Sequence, residues 1–470
     1  MSQPGISLLN WSGAVLCIAG VSYAISAARW YSRSRGLPLP PGPKGLPILG
    51  NVFDLPMSWP WIAYQQLGLV HGDVIHFRAL GQSVIVLNSA AAISEYLDKH
   101  TANTADRAQS LMVELTGNGH NLGLMRYGQR WRDHRRVFWQ YFHRDAARSY
   151  QQTQRAVAHI FLEKLLASPL LLEQHIRYAF AGSVIHVAYG IDYTSDASDK
   201  YSDAMRTAIV SIVDGLVPGK FMVQYFPFLR HLPSWLPGTG WQRQLAQWRE
   251  ENHSAITMPY EYARNEMNHR KDVNESMVGR HINSLTRAGD VSAQDEEILK
   301  NTNLLSLHGG FLALSLYPEV VKKAQEELDV VVGPHRLPAF DDEPSLVYVK
   351  AVIMEIMRWH NVLPLGVAHG TTNDDTWRGW FIPAGTLIQP NVWACMNDPQ
   401  MFPNPREFCP ERFIKDGAID TPSSTPWCSS SGTEGEFGGE TLRRAGLFIN
   451  IASVLHVFDI SGPLDANGKR

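Results

Sequence analysis

The alternation of apolar and polar positions divides the chain before any single residue is considered. No charged side chain occurs in residues 1–28, and residues 6–28 are mostly apolar. A run of that length can cross the hydrocarbon core of a bilayer as one helix. Arg29, Arg33 and Arg35 follow at once. Basic residues beside a span stay on the cytoplasmic side, so residues 1–35 are predicted to be an anchor with the body in the cytosol. A cleaved signal peptide would begin with a basic stretch, and none precedes the run. Asn10, Ser12 and Ser22 weaken the span without forbidding it, and a buried helix of a soluble domain is the remaining alternative. The next twelve positions, 36–47, carry Pro38, Pro40, Pro41, Pro43 and Pro47. They exclude a helix there and predict a stiff, extended hinge.

Beyond the hinge, residues 74–77 and 83–87 read as short strands with Gly81 at the turn between them. From residue 90 to about residue 330 the period is mainly helical, with loops expected at 195–200 and 226–240. Residues 346–359 place Val349, Val352, Ile353 and Ile356 on one helical face, and residues 364–390 return to strands and turns. Near the end, Phe448, Ile451, Ala452 and Leu455 recur at helical spacing. The predicted fold class is mainly α with small β-sheets, as one body over 48–470 behind the anchor and hinge.

Composition narrows the function classes. Of 470 residues, 44% are hydrophobic and 19% charged, with a net charge of -3. That excludes a disordered chain and leaves no basic footprint for nucleic acid. Four cysteines (Cys17, Cys395, Cys409 and Cys428), none in a Cys-x-x-Cys pair, give neither a disulfide scaffold nor a structural zinc site. They suit a reducing compartment. No Gly-x-Ser-x-Gly elbow is present, which sets serine-hydrolase chemistry aside.

Within the 346–359 helix, Glu355 and Arg358 stand at i and i+3 and can pair. Such pairs are common on solvated faces, but this one sits in an apolar helix, where a buried charge needs a partner. Pro410-Glu411-Arg412-Phe413 supplies a second guanidinium. Trp131-Arg-Asp-His-Arg135-Arg136 adds a tryptophan and an arginine one helical turn apart; the bland alternative for Arg135 and Arg136 is a solvated basic face.

Taken in order, the anchor, the proline-rich hinge, the Trp-x-x-x-Arg helix, the Glu-x-x-Arg helix and the Pro-Glu-Arg-Phe segment resemble a membrane-bound cytochrome P450 of the fungal, microsomal type. The resemblance spans residues 40–462. It implies the P450 fold and a haem cofactor. It also implies a structural triad of Glu355, Arg358 and Arg412, and propionate contacts from Trp131, Arg135 and His369. By the same resemblance, residues 362–368 line a cavity for a hydrophobic small molecule. Electrons come from NADPH-cytochrome P450 reductase at the endoplasmic reticulum membrane.

Two segments depart from the family pattern. The oxygen-activation helix normally carries an acid–alcohol pair, but residues 301–310 run directly into Phe311, about ten residues short after Gly310, or roughly 15 Å of helix. No catalytic acid–alcohol pair is retained. Counting back from Gly446 by family spacing places the iron ligand at Phe437 instead of the cysteine thiolate that favours O–O cleavage. Cys428 is the nearest candidate metal ligand, with no matching loop around it, and Cys409 belongs to the preceding segment. Read one base out of frame, with suitable synonymous codons, residues 430–437 encode Phe-Gly-Tyr-Gly-Arg-Arg-Ile, the family loop up to its cysteine. A frameshift there, altering about 421–444, and a lost or misdrawn segment after Gly310 account for both departures. The functions left are a haem-thiolate monooxygenase of secondary metabolism or xenobiotic oxidation, a catalytically dead ligand-binding pseudoenzyme, or the product of a frameshifted gene.

Overall fold

The computed structural model describes residue 21 and residues 24–460, apart from 57, 109, 216–219, 225, 268, 289–309, 362 and 421–437. Most of the expected anchor therefore lies outside the described residues, and among these no helix is long and apolar enough to cross a membrane.

Twelve helices carry the argument. They are α1 (24–34), α2 (Pro60–His71), α3 (Gln129–Phe142), α4 (Gln151–Ala167), α5 (Leu172–Tyr189) and α6 (Asp196–Gly215). After them come α7 (Gly240–Glu266), α8 (Met277–Ala288), α9 (Gly310–Leu316), α10 (Pro318–Val331), α11 (Val347–Trp359) and α12 (Gly438–Val457). The loop expected at 195–200 is instead the first turn of α6. The apolar positions of that helix begin after residue 200, so periodicity alone starts it too late. Pro318 sits in the first turn of α10, where a missing N–H costs nothing, and it separates α10 from α9.

The strands form one five-stranded sheet and two hairpins. The sheet order is β1 (Val74–Ala79), β2 (Gln82–Leu87), β7 (Leu387–Pro390), β4 (His369–Gly370) and β3 (Asp106–Arg107). Only the β2–β7 pairing is parallel. The two hairpins are β5 (Asp375–Trp377) with β6 (Trp380–Ile382), and β8 (Ile414–Lys415) with β9 (Ala418–Ile419). The fold is thus mainly helical with small sheets.

The largest apolar cluster joins α10, α11 and α12. Val320, Ala324 and Leu328 meet Val349, Val352 and Ile356, and Phe448, Ile451, Ala452 and Leu455 close the third side. These are the positions that the 3.6-residue period selects on each helix. A second cluster joins α3, α5, α7 and α8 through Phe138, Tyr189, Tyr260 and Val278.

The proline-rich hinge lies against the sheet. The His76 N–H donates to the Pro41 carbonyl at 2.7 Å, Asn51 N–H donates to Arg78 at 2.7 Å, and Phe381 N–H donates to Pro38 at 2.8 Å. A Cβ on Gly42 would stand 2.0 Å from the His76 carbonyl oxygen, so only glycine lets the hinge approach this closely. The hinge covers β1, whose free edge would otherwise be open to another chain.

Helix α1 is fastened to the same end. Trp30 meets Phe381 edge-on, with ring centroids 5.3 Å apart, and the Arg78 guanidinium lies 5.5 Å from the Trp30 ring centre. Arg33 forms a fork with Asp374, at 2.8 Å from Nε and 2.5 Å from Nη2. The body's contacts therefore begin before the hinge. Deleting residues 1–35 is expected to lower the thermal midpoint by roughly 2–4 °C. Deleting residues 1–28 should leave it unchanged, as differential scanning fluorimetry of the two truncations would show.

Candidate haem site and its structural triad

Glu355 and Arg358 are wholly buried on α11. The Arg358 Nε and Nη2 donate to the two carboxylate oxygens of Glu355 at 2.6 and 2.7 Å. Nη1 donates to the carbonyls of Met396 (2.8 Å) and Pro405 (2.9 Å), and Nη2 also donates to Glu407 (3.2 Å). A guanidinium has five N–H donors, and each finds an oxygen here. Arg412 completes the triad: its Nε donates to Glu355 Oε1 at 3.2 Å, and its Nη1 donates to the Pro403 carbonyl at 2.9 Å. The Cys409 N–H donates to the same Glu355 oxygen at 2.9 Å. The triad thereby ties the irregular stretch 396–412 to α11. It holds structure together and touches no reacting group.

A cationic cluster stands on β3, β4 and α3. Arg107 and His369 are Cα partners in the β3–β4 pair, and directly opposite residues share a face of the sheet. The Arg107 Nη1 donates to His369 Nε2 at 2.8 Å, and His369 Nδ1 faces the Thr104 carbonyl at 2.8 Å. A ring that accepts at Nε2 and donates at Nδ1 is neutral. Burial, reinforced by the Arg107 charge, holds the His369 pKa down to about 3. Burial also lowers the Arg107 pKa to about 10; Asp106 opposes that shift and Arg135 adds to it. Burial lowers Arg135 as well.

Asp106 brings α3 to this place. Its Oδ1 accepts the Tyr127 N–H at 2.8 Å, and its Oδ2 stands 3.5 Å from Arg126 Nη2. These contacts fasten the chain just ahead of α3. On that helix the Arg135 guanidinium lies 5.7 Å from the Trp131 ring centre. The cluster thus gathers Trp131, Arg135 and His369, and it adds Arg107, which the sequence reading missed. The only signal for Arg107 was a lone arginine in a two-residue strand.

Of the stretch 362–368, position 362 lies outside the described residues. Residues 363–368 run beside β7: Trp393 N–H donates to the Pro364 carbonyl at 2.9 Å, and the Gln389 side chain donates to Leu365. The stretch is drawn to the sheet by main-chain bonding that apolar character cannot reveal. Cys17, Cys428 and Phe437 lie outside the described residues, as do residues 301–309, on which the expectation of a shortened helix rests; Gly310 opens α9.

Neither remaining thiol belongs to the elements that carry the cluster. Burial pushes Cys395 up to about 12, within a core of Ile85, Trp377 and Ile388. Cys409 is raised by burial and by Glu411, whose carboxylate is 3.5 Å from its sulfur. A thiolate is the ligating form, and both environments disfavour it.

Among the described residues the site thus comprises a buried neutral histidine beside two arginines, and a Glu–Arg–Arg triad that braces α11. The sequence pattern of the cytochrome P450 family matches residues 40–427, and the chain belongs to that family. A cytochrome P450 monooxygenase, COX1, of Coprinopsis cinerea is 37% identical over 462 residues, covering 93% of this chain and 87% of the relative. COX2 of the same fungus is 35% identical, covering 98% and 89%. The tryptamine 4-monooxygenase of Psilocybe cyanescens is 35% identical, covering 97% and 92%.

Family membership implies haem, and the fit divides. Desolvated arginines and a buried histidine suit two propionates. At the iron end, no described cysteine has the setting of a thiolate ligand, and Phe437 stands where family spacing puts one.

Two outcomes test this geometry. Arg358→Ala leaves Glu355 buried without its main partner and is expected to cost about 3–5 kcal/mol; urea denaturation against the parent measures it. His369 is neutral in the folded chain, whereas the unfolded chain titrates at the ordinary 6.5. The unfolded state therefore binds the extra proton, and stability falls as pH drops from 6.5 towards about 3. His76, held down to about 4 by burial and Arg78, acts in the same direction. Replacing His369 with Gln should flatten this slope in denaturation series taken across that range.

Proposed function

We propose that this chain derives from a haem-thiolate monooxygenase that oxidises a lipophilic small molecule in secondary metabolism, and that as written it keeps a seat for haem with little or no turnover. The observation that carries the reading is the cluster of half-buried Arg107 and Arg135 with buried His369, whose charge suits a dicarboxylate cofactor. Bound haem, in this family, supplies oxygen activation with electrons from NADPH-cytochrome P450 reductase. The chain's own residues bind and orient: Arg107 and Arg135 present N–H donors, Trp131 stacks beside Arg135, and His369 holds Arg107 in place. The apolar stretch 6–28 supports anchoring to the endoplasmic reticulum membrane, with the body in the cytosol.

Phe437 favours a second reading, a ligand-binding pseudoenzyme, because phenylalanine cannot ligate iron. Haemin titration and the reduced, carbon-monoxide-bound spectrum separate the two. Haemin should bind without the thiolate-type band, and Arg107→Ala and Arg135→Ala should each weaken binding about tenfold, the loss of one charge-assisted hydrogen bond apiece. A thiolate-type band, or hydroxylation of any lipophilic substrate with reductase and NADPH, would sink the claim of lost turnover.

A further inference from the structure

One carboxylate oxygen joins the two segments that carry most of the cationic cluster. Asp106, 9% exposed, lies in β3 one residue before Arg107. Its Oδ1 accepts the Arg107 N–H at 2.9 Å and the Tyr127 N–H at 2.8 Å. The strand of Arg107 and the chain entering α3 therefore meet on a single atom. From Tyr127 the contact continues into the helix. The Tyr127 and Trp131 ring centres are 5.2 Å apart, and the Arg135 guanidinium lies 5.7 Å from the Trp131 ring centre. The other oxygen, Oδ2, faces Arg126 Nη2 at 3.5 Å, and that side chain is 69% exposed, so this pair holds little.

Two physical effects are joined in the Asp106 side chain, and towards an anionic cofactor they oppose one another. As an acceptor, Oδ1 sets where α3 begins relative to β3, and with it where Trp131 and Arg135 stand. As a charge, the carboxylate raises the Arg107 pKa against burial, so it neutralises part of the field that a dicarboxylate would use. A bond to a carboxylate is short and directional. Placement is the effect that favours the cofactor.

On the reading of the cluster as a haem seat, we propose that Asp106 is its positioning residue: Oδ1 sets α3, with Trp131 and Arg135, against the strand of Arg107, and the negative charge is not what holds the cofactor.

Two substitutions separate the effects. Asp106→Asn removes the charge but keeps an acceptor that the two N–H donors turn into place. Asp106→Glu keeps the charge and carries the acceptor one methylene away. In haemin titrations followed at the Soret band, the Asn variant should stay within about threefold of the parent, and the Glu variant should bind about tenfold more weakly, the loss of one well-placed hydrogen bond. Arg126→Ala, which removes the exposed contact to Oδ2, should bind as the parent does. In the haem-free chain, hydrogen exchange over residues 124–131 should quicken in Asp106→Glu and not in Asp106→Asn. An Asn variant as weak as the Glu variant, a Glu variant that binds like the parent, a loss with Arg126→Ala, or equal exchange in the two Asp106 variants would each overturn the positioning role. A parent chain that takes up no haemin overturns the haem reading instead, and the exchange comparison then decides the role of Asp106 by itself.

Discussion

Everything at the braced end of this fold follows from the burial of one guanidinium. Arg358 is wholly inaccessible to solvent, and a charge removed from water is tolerated only when its counter-ion and hydrogen bonds are all present. Glu355 supplies the counter-ion from one turn earlier on the same helix. Three backbone carbonyls from residues 396–407 supply the rest. An irregular segment thereby acquires a defined path. Along it Met396, Phe402 and Phe413 pack against Ala351 and Val392. Arg412 and the Cys409 amide draw on the same carboxylate, so one apolar helix face, one ion pair and one meander form a single unit.

The cationic cluster rests on a different constraint, the register of a very short strand pair. Two residues of β3 against two of β4 set Arg107 opposite His369, and Asp106 in the same strand fastens the chain entering α3. Positive groups brought together out of water raise one another's cost. Burial lowers the pKa values of Arg107 and Arg135, and the Arg135 charge adds to the shift at Arg107. A ligand with two carboxylates relieves that cost, which links the electrostatics of this end to the cofactor of the family.

The carboxylate end and the iron end of the site thus have different fates. The helices that flank the undescribed segments bury their apolar faces: α10 follows α9, and α12 sets Phe448, Ile451 and Leu455 into the main core. Packing of this kind depends on residues recurring every three to four positions. It does not require the proton-relay pair or the thiolate, so a chain can lose both and retain the helical core.

Much of this was legible in the order of the residues. The fold class, the strands expected at 74–77 and 83–87, the helix of Glu355 and the pairing of Glu355 with Arg358 all rest on contacts within a few positions. Apolar period and i, i+3 spacing report such contacts directly. What the order of residues left open depends on contacts between distant segments. Arg107 meets His369 across more than two hundred positions, and nothing near either one announces the other. The hinge lies down on β1, and α1 is clamped by Asp374, through backbone and side-chain bonds that a proline count does not reveal. Local sequence determined which segments are helices and strands; only tertiary packing decided which buried charges and amides meet, because a buried polar group takes its partner from whatever the fold brings alongside.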